Sequence, residues 1–157
     1  MSREFAFVGL ALWMGVAGLA RASAAEKTPE QIEQRYDQEK NARKRAELAR
    51  DLMDVRREQL RSALESGTLL QESTPEHRNY LAAVNRLGSA VREANHANTS
   101  KRSEMHLRSH LRELGNLKMD VSMAEREILD QVIKQVSDLR EELLYGILVP
   151  EGETAKP

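Results

Sequence analysis

Apolar side chains recur along most of the chain at intervals of three and four residues, the spacing that places them on one face of an α-helix. The most regular series is Tyr80, Val84, Leu87, Val91 and Ala94. Its heptad-like spacing is typical of coiled-coil packing. No stretch alternates apolar and polar residues with a period of two, as a half-buried strand would. The pattern predicts an all-α protein.

Residues that cap or break helices divide this pattern into elements. Thr28-Pro29-Glu30-Gln31 predicts the start of a short first helix, with a capping box and a proline at the first helical position. Asn41 predicts a break before a second helix, 42–66, which Gly67 ends. Ser73-Thr74-Pro75-Glu76 repeats the start pattern and predicts a hydroxyl cap for the third helix.

The junctions of the remaining helices are less distinct. Polar residues at 95–100 predict a turn after the third helix, and a stutter within one long helix is the alternative. Ser122 and Glu125 predict a second capping box and a short turn before the last helix, which ends near Gly146. In the linker 68–73, two leucines, Leu69 and Leu70, are expected to pack back against the helices.

These elements amount to four main helices plus a short N-terminal one. Short connections favour antiparallel neighbours, so the sequence predicts an antiparallel helical bundle or a pair of long helical hairpins. Residues 25–149 would form this domain, and the polar segment 150–157 is expected to be a disordered tail.

The N-terminus resembles an export signal. Residues 5–20 carry no charge, Arg3 precedes them, and Ala22-Ser23-Ala24 gives the small-x-small pattern of a signal peptidase site. An apolar helix of that length spans roughly 24 Å, less than the ~30 Å hydrocarbon core. We therefore expect a cleaved signal peptide, 1–24, and a periplasmic or secreted protein. An uncleaved anchor is the alternative, and only then would the chain contact the membrane.

Composition narrows the possible functions. The chain has no cysteine, so it lacks a thiol nucleophile and the attachment point of a bacterial lipoprotein. It has no G-x-S-x-G, H-E-x-x-H or glycine-rich phosphate loop. Carboxylates lie near basic residues at helical spacings, Arg50 with Asp54 for example, which is typical of a solvated helix surface. The sequence predicts a protein that is not an enzyme and has no cofactor.

His106 and His110 are the sharpest candidate for binding chemistry. Their i, i+4 spacing places both imidazoles on one helix face, where they could hold zinc or copper. His96 and Glu113 are close in sequence, but no residue from another helix is marked as a third ligand. The alternative is that both histidines merely edge the apolar stripe formed by Leu107 and its neighbours.

Charge is unevenly distributed in the second half of the chain. Residues 75–118 are rich in arginine and lysine, and residues 119–157 are rich in acidic residues. Mutual neutralisation between neighbouring helices is the favoured interpretation, and a basic face for anionic phospholipid or envelope polymer is the alternative. A nucleic-acid partner is not expected, because no aromatic platform accompanies the basic residues.

Three segments of the mature chain resemble exported, all-helical bacterial proteins of unknown function. The resemblance implies export and a helical bundle, and it implies no activity. The segments are Arg43-Lys44-Arg45-Ala46-Glu47-Leu48-Ala49, His106-Leu107-Arg108-Ser109-His110-Leu111-Arg112 and Leu139-Arg140-Glu141-Glu142-Leu143-Leu144.

The expected function is that of a structural or protein-interaction module of the cell envelope. Its partner would be another envelope protein or a second copy of this chain, since the heptad-like series could serve as a dimer interface as well as a core. A metal-binding protein that uses His106 and His110 is the alternative.

Overall fold

The computed structural model describes residues 28–148, and these form five α-helices without a strand. The helices are α1 (Pro29–Gln38), α2 (Ala42–Glu65), α3 (Pro75–Ala94), α4 (Ala97–Asp120) and α5 (Met123–Leu148). The predicted all-α class, with four main helices after a short one, is confirmed. None of the described helices has the length and apolar character needed to cross a bilayer. The expected signal peptide, 1–24, and tail, 150–157, lie outside the described residues.

The helix starts follow the predicted caps in two cases and depart from them in a third. At α1, Gln31 N–H donates to Thr28 Oγ1 (3.3 Å) and Thr28 N–H donates to Gln31 Oε1 (3.2 Å), which confirms the capping box. At α2, Asn41 Oδ1 accepts two backbone N–H bonds. The predicted hydroxyl cap of α3 is wrong, because Thr74 Oγ1 accepts from Gln71 N–H (2.9 Å) in the preceding turn.

Turns separate the helices at each predicted junction. Gly67 has a φ of 79° just after α2, a left-handed conformation that glycine adopts without steric cost. Asn95 has a φ of 39° after α3, so α3 and α4 are separate helices and the stutter is excluded. At the last junction Ser122 N–H donates to Glu125 Oε2 (3.0 Å), which is half of the predicted capping box. The last helix continues to Leu148, slightly beyond the predicted end.

The helices pack as two hairpins, the confirmed form of the bundle. One hairpin is α2 with α3, the other is α4 with α5, and α1 packs on α2. Two contacts on each side show the mutual orientation of the hairpins. Between α2 and α4, Asp54 contacts His110 and Arg57 contacts Glu113. Between α3 and α5, Gly88 lies beside Leu139 and Arg92 contacts Glu142, so in both pairs the residue numbers rise together. Thus α2 runs alongside α4 in the same direction, and α3 alongside α5.

The core lies between the two hairpins and is mainly aliphatic. It contains four members of the heptad-like series, Tyr80, Val84, Leu87 and Val91. This series therefore packs inside the monomer. Leu70 of the linker is buried as expected. Leu69, however, is 54% exposed, so only one of the two leucines packs against the helices.

Candidate metal centre

The candidate centre begins with two histidines on one face of α4. The ring centroids of His106 and His110 lie 4.5 Å apart, as their i, i+4 spacing predicts. The His110 side chain is 1% exposed and that of His106 is 19% exposed, so both face the interior of the bundle beside the buried Leu107. Their position at the edge of the apolar stripe therefore brings them against α2.

Asp54 of α2 completes a cluster with these two histidines. Its Oδ1 atom lies 2.9 Å from His110 Nε2 and 3.4 Å from His106 Nε2. One ligand atom from each of the three residues lies within 4.8 Å of the others. The interpretation of Asp54 as part of a solvated surface with Arg50 is wrong, because its closest partners are the two imidazoles and, at 3.8 Å, Arg57.

Tyr80 of α3 holds the ring of His110 from the opposite side. The Tyr80 hydroxyl and His110 Nδ1 are 2.9 Å apart, and Tyr80 is fully buried. Burial raises the pKa of the Tyr80 phenol, which therefore stays protonated. The contacts fit a His110 tautomer that accepts the phenol proton at Nδ1 and donates from Nε2 to Asp54. A hydrogen-bonded chain thus crosses α3, α4 and α2.

The electrostatics of the cluster favour a neutral His106 imidazole beside an ionised Asp54 carboxylate. Burial, followed by the neighbouring His110, lowers the pKa of His106 to about 4. Burial alone would raise the pKa of Asp54, but the hydrogen bond from His110 and nearby positive charges outweigh it and lower that pKa. His106 Nε2 is buried and makes no hydrogen bond, so its lone pair is not engaged by another described residue.

The spacing of the donor atoms suits a small transition-metal ion. Zinc bonds of about 2.0–2.1 Å in a tetrahedral arrangement place ligand atoms about 3.3–3.4 Å apart. The two nitrogen–oxygen separations, 2.9 and 3.4 Å, are close to this value. Two imidazole nitrogens and one carboxylate oxygen are a donor set that zinc, copper, nickel and iron accept.

The other residues near the histidines in sequence do not join the cluster. His96 is the residue that precedes α4, about four turns from His110. Glu113 instead forms an ion pair with Arg57 at 2.8 Å. Asp54 and Tyr80 could not be assigned to the site from the sequence, because the register of α2 and α3 against α4 leaves no trace in a single sequence. The only hint was that the apolar series beginning at Tyr80 had to face another helix.

A buried carboxylate outside the cluster could not be identified from the sequence either. Glu104 is 3% exposed, and it accepts hydrogen bonds from Arg108 and Arg140, both at 2.9 Å. Burial alone would raise the pKa of Glu104, but these two arginines outweigh it and hold that pKa below its usual value. The carboxylate is thus fully matched by two guanidinium groups, which is typical of a structural ion pair between packed helices.

Ion pairs between the hairpins and within the second hairpin bear out part of the expected charge neutralisation. Basic residues of α3 and α4 pair with acidic residues of α5 in two places, Arg92 with Glu142 (2.6 Å) and Lys118 with Asp130 (2.5 Å). In the Arg140–Glu104 pair the arrangement is reversed, because the basic residue is on α5 and the acidic residue on α4. Neighbouring helices therefore neutralise one another, although not as a simple basic face against an acidic one.

Comparison of the chain with protein-family models, with curated proteins and with solved structures found no match. The resemblance to exported helical proteins stays an expectation. The functional argument therefore depends on the geometry of the three side chains, which α2 and α4 bring together from positions more than fifty residues apart in the chain.

Proposed function

We propose that this protein is an exported, non-enzymatic helical bundle that binds a divalent transition-metal ion through Asp54, His106 and His110. The proposal depends on one observation: three potential ligand atoms, from helices of different hairpins, lie within 4.8 Å of one another. Two histidines on one helix are a weak pattern, and a third ligand from a second helix is what a chelating site requires.

The surroundings of the ligands support the same function. A metal-bound histidine usually has its other ring nitrogen held by a second group, which fixes the orientation of the ring. Tyr80 is in that position for His110, and the backbone of Arg50 interacts with the His106 imidazole. A neutral imidazole such as that of His106 also binds a cation without first losing a proton. For His110 to bind an ion through Nε2, its proton would move to Nδ1 and be donated to the Tyr80 oxygen.

The ligand types favour zinc or copper(II) over other ions. Calcium and magnesium prefer sets made entirely of oxygen atoms, whereas this cluster offers two nitrogens. Copper(I) prefers sulfur ligands, and the chain has no cysteine. With three protein ligands, a bound ion would keep a coordination position for water or a small anion, and Asp54 opens that side of the cluster to solvent since it is 47% exposed.

Titration of the purified mature chain with zinc chloride and with copper chloride, followed by calorimetry, tests the proposal. We expect one ion per chain, and at least a tenfold weaker Kd in Asp54→Asn and His106→Gln. Asp37→Asn is a matched control, because Asp37 is an exposed carboxylate on α1, outside the cluster. Circular dichroism of each variant checks that the helices are retained.

Two results would contradict metal binding at this cluster. One is the absence of heat and of thermal stabilisation at millimolar zinc and copper. The other is stoichiometric binding that Asp54→Asn, His106→Gln and His110→Gln all leave unchanged. His106→Gln carries most weight, since His106 is the less buried histidine and its replacement disturbs the core least.

A second candidate function, an interaction module of the envelope, is supported by exposed apolar side chains at one end of the bundle. Met119 and Met123, at the turn between α4 and α5, are each 74% exposed. Leu69, in the linker between α2 and α3, is 54% exposed. The following residue, Leu70, donates its backbone N–H to Glu125 of α5, which places the linker beside this turn. Methionine-rich apolar surfaces are common where proteins bind partners.

Light scattering and in-cell crosslinking of the envelope fraction test the second candidate. We expect a dimer or a crosslinked envelope protein that the double variant Leu69→Ser, Met123→Ser loses. Tyr145→Ser is the control, because Tyr145 is 69% exposed at the opposite end of α5. A monomer without any crosslinked partner would eliminate this function and leave the metal proposal unaffected.

A further inference from the structure

A polar recess lies beside the start of α4, outside the metal cluster. The first half of α2 and the first turns of α4 enclose a space of about 200 Å³. Three of its lining residues are arginines, Arg43, Arg50 and Arg102, and the others are Glu47, His96, Asn98 and Thr99. Three guanidinium groups against one carboxylate give the recess an excess of positive charge.

In the described part of the chain, the arginines of this recess are not neutralised by ion pairs with carboxylates. Elsewhere in the bundle several arginines have carboxylate partners: Arg45 pairs with Glu93, Arg57 with Glu113 and Arg140 with Glu104. None of the ion pairs found among residues 28–148 involves an arginine of the recess. Three guanidinium groups without such a partner therefore line one small space.

The helix that begins here adds to the positive potential. The side chain of His96 makes no capping hydrogen bond to the first turn of α4, and that turn contains no acidic residue. By contrast, Thr28 and Asn41 cap α1 and α2 with side-chain oxygens. The first N–H groups of α4 therefore retain the partial positive charge of a helix start.

One polar atom of a residue that lines the recess also lacks a partner. His96 Nδ1 is buried and makes no hydrogen bond to another described residue. A buried ring nitrogen without a partner is costly, and a protonated one can donate to a ligand oxygen. Thr99, which is 8% exposed, lines the same space.

We propose that this recess binds a phosphate-class oxyanion through Arg50, Arg102 and the start of α4. Planar guanidinium groups match phosphate oxygens with paired hydrogen bonds, and a helix start favours the same charge. The volume admits a single phosphate group with its hydration. The anion is either free phosphate or the phosphate of a larger envelope component such as an anionic phospholipid. None of these residues is a proposed metal ligand. Because the backbone of Arg50 interacts with His106, Arg102→Gln is the variant that separates the recess from the metal centre.

Titration of the full mature chain with inorganic phosphate, at fixed ionic strength in chloride, tests the recess directly. We expect saturable shifts in the amide resonances of the first turn of α4 by NMR. Arg50→Gln and Arg102→Gln should each weaken the Kd at least tenfold. Arg61→Gln is the control, because Arg61 is an exposed arginine of α2 paired with Glu65. It should bind as the unaltered chain does.

A parallel measurement separates the two sources of the anion. Sedimentation with phosphatidylglycerol vesicles, and with phosphatidylcholine vesicles for comparison, reports binding to a headgroup. Binding of the anionic vesicles that Arg102→Gln abolishes would identify a headgroup site, whereas phosphate binding without vesicle binding would identify free phosphate. The inference is overturned if neither probe binds, or if the recess variants bind as Arg61→Gln does. Asp54→Asn should retain phosphate binding even if it loses metal.

Discussion

The two hairpins meet along two sides that differ in chemistry. Between α2 and α4 the contacts are polar, with Asp54 bonded to His110 (2.9 Å) and Arg57 paired with Glu113 (2.8 Å). Between α3 and α5 they are apolar and close: a Cβ added to Gly88 would lie 3.0 Å from Leu139 Cδ1. An exposed ion pair flanks this second side.

The difference indicates which side holds the bundle together. Burying apolar surface stabilises a fold in proportion to the area removed from water, whereas a buried polar group gains little beyond the water contacts it lost. We therefore expect the apolar contacts of the α3–α5 side to contribute more to stability than the polar contacts between α2 and α4, which include the candidate metal centre.

The largest expected effect comes from breaking the apolar side. Leu139→Ala should lower the free energy of unfolding by about 3 kcal/mol, because it removes a buried side chain and leaves a cavity beside Gly88. Urea denaturation measures this. Leu148→Ala is the control, since Leu148 is 75% exposed and its loss should change stability by less than about 0.5 kcal/mol. Equal effects of the two variants would contradict the role given to this side.

Acid should weaken the polar side before it weakens the apolar one. The folded-state pKa of His106 is about 4 against an ordinary value of 6.5, so below pH 6.5 the unfolded chain binds a proton that the folded chain does not. Stability should therefore fall by about 2 kcal/mol from pH 7 to pH 5. Denaturation midpoints across that range measure it.

Replacing the titrating imidazole provides the control for this pH dependence. His106→Gln should flatten the profile between pH 6.5 and 5, because the group responsible is gone. The lowered pKa values of Asp54 and Glu104 act in a more acidic range, since they stabilise the fold above their ordinary values and that contribution is lost only as the pH falls further. An unaltered chain whose stability is constant from pH 7 to 5 would show that His106 is not buried as described.

Removing the Tyr80 hydroxyl tests the contribution of the polar side while leaving the size of the core almost unchanged. Tyr80→Phe leaves His110 Nδ1 without its partner and should cost about 1.5 kcal/mol. It should also weaken zinc binding about tenfold, because the ring of His110 is no longer held. Tyr36→Phe is a matched control that loses a different phenol hydrogen bond, to the Arg86 carbonyl (3.0 Å), and should leave zinc affinity unchanged. Equal zinc affinity in Tyr80→Phe and Tyr36→Phe would argue against a positioning role for Tyr80.

The smallest effect is expected at the exposed ion pair. Arg92→Gln removes the contacts to Glu142, but Arg92 is 56% exposed, so water and salt screen the pair. The free energy of unfolding should change by less than about 0.5 kcal/mol. Chemical denaturation at low and at high salt measures this, and a loss above 1 kcal/mol at both would mean that the α3–α5 side depends on charge.

The helices could be predicted from the sequence, whereas the candidate site could be predicted only in part. Helix ends are determined by local residues such as Thr28, Asn41 and Gly67, and the i, i+4 rule is enough to pair His106 with His110. Asp54 could not be found in this way, because its place beside the histidines depends on how one hairpin lies against the other. Thr74 shows that local residues can also mislead. Its hydroxyl could accept a hydrogen bond from the first turn of α3 or from the preceding turn, and it accepts from Gln71 N–H of the preceding turn.

Each hairpin joins neighbouring stretches of chain, so most contacts of this protein form between residues that meet early in folding. The cluster of Asp54, His106 and His110 is different, because it exists only when the two hairpins have docked in register. An ion held by all three side chains would therefore select fully assembled molecules and lengthen their lifetime.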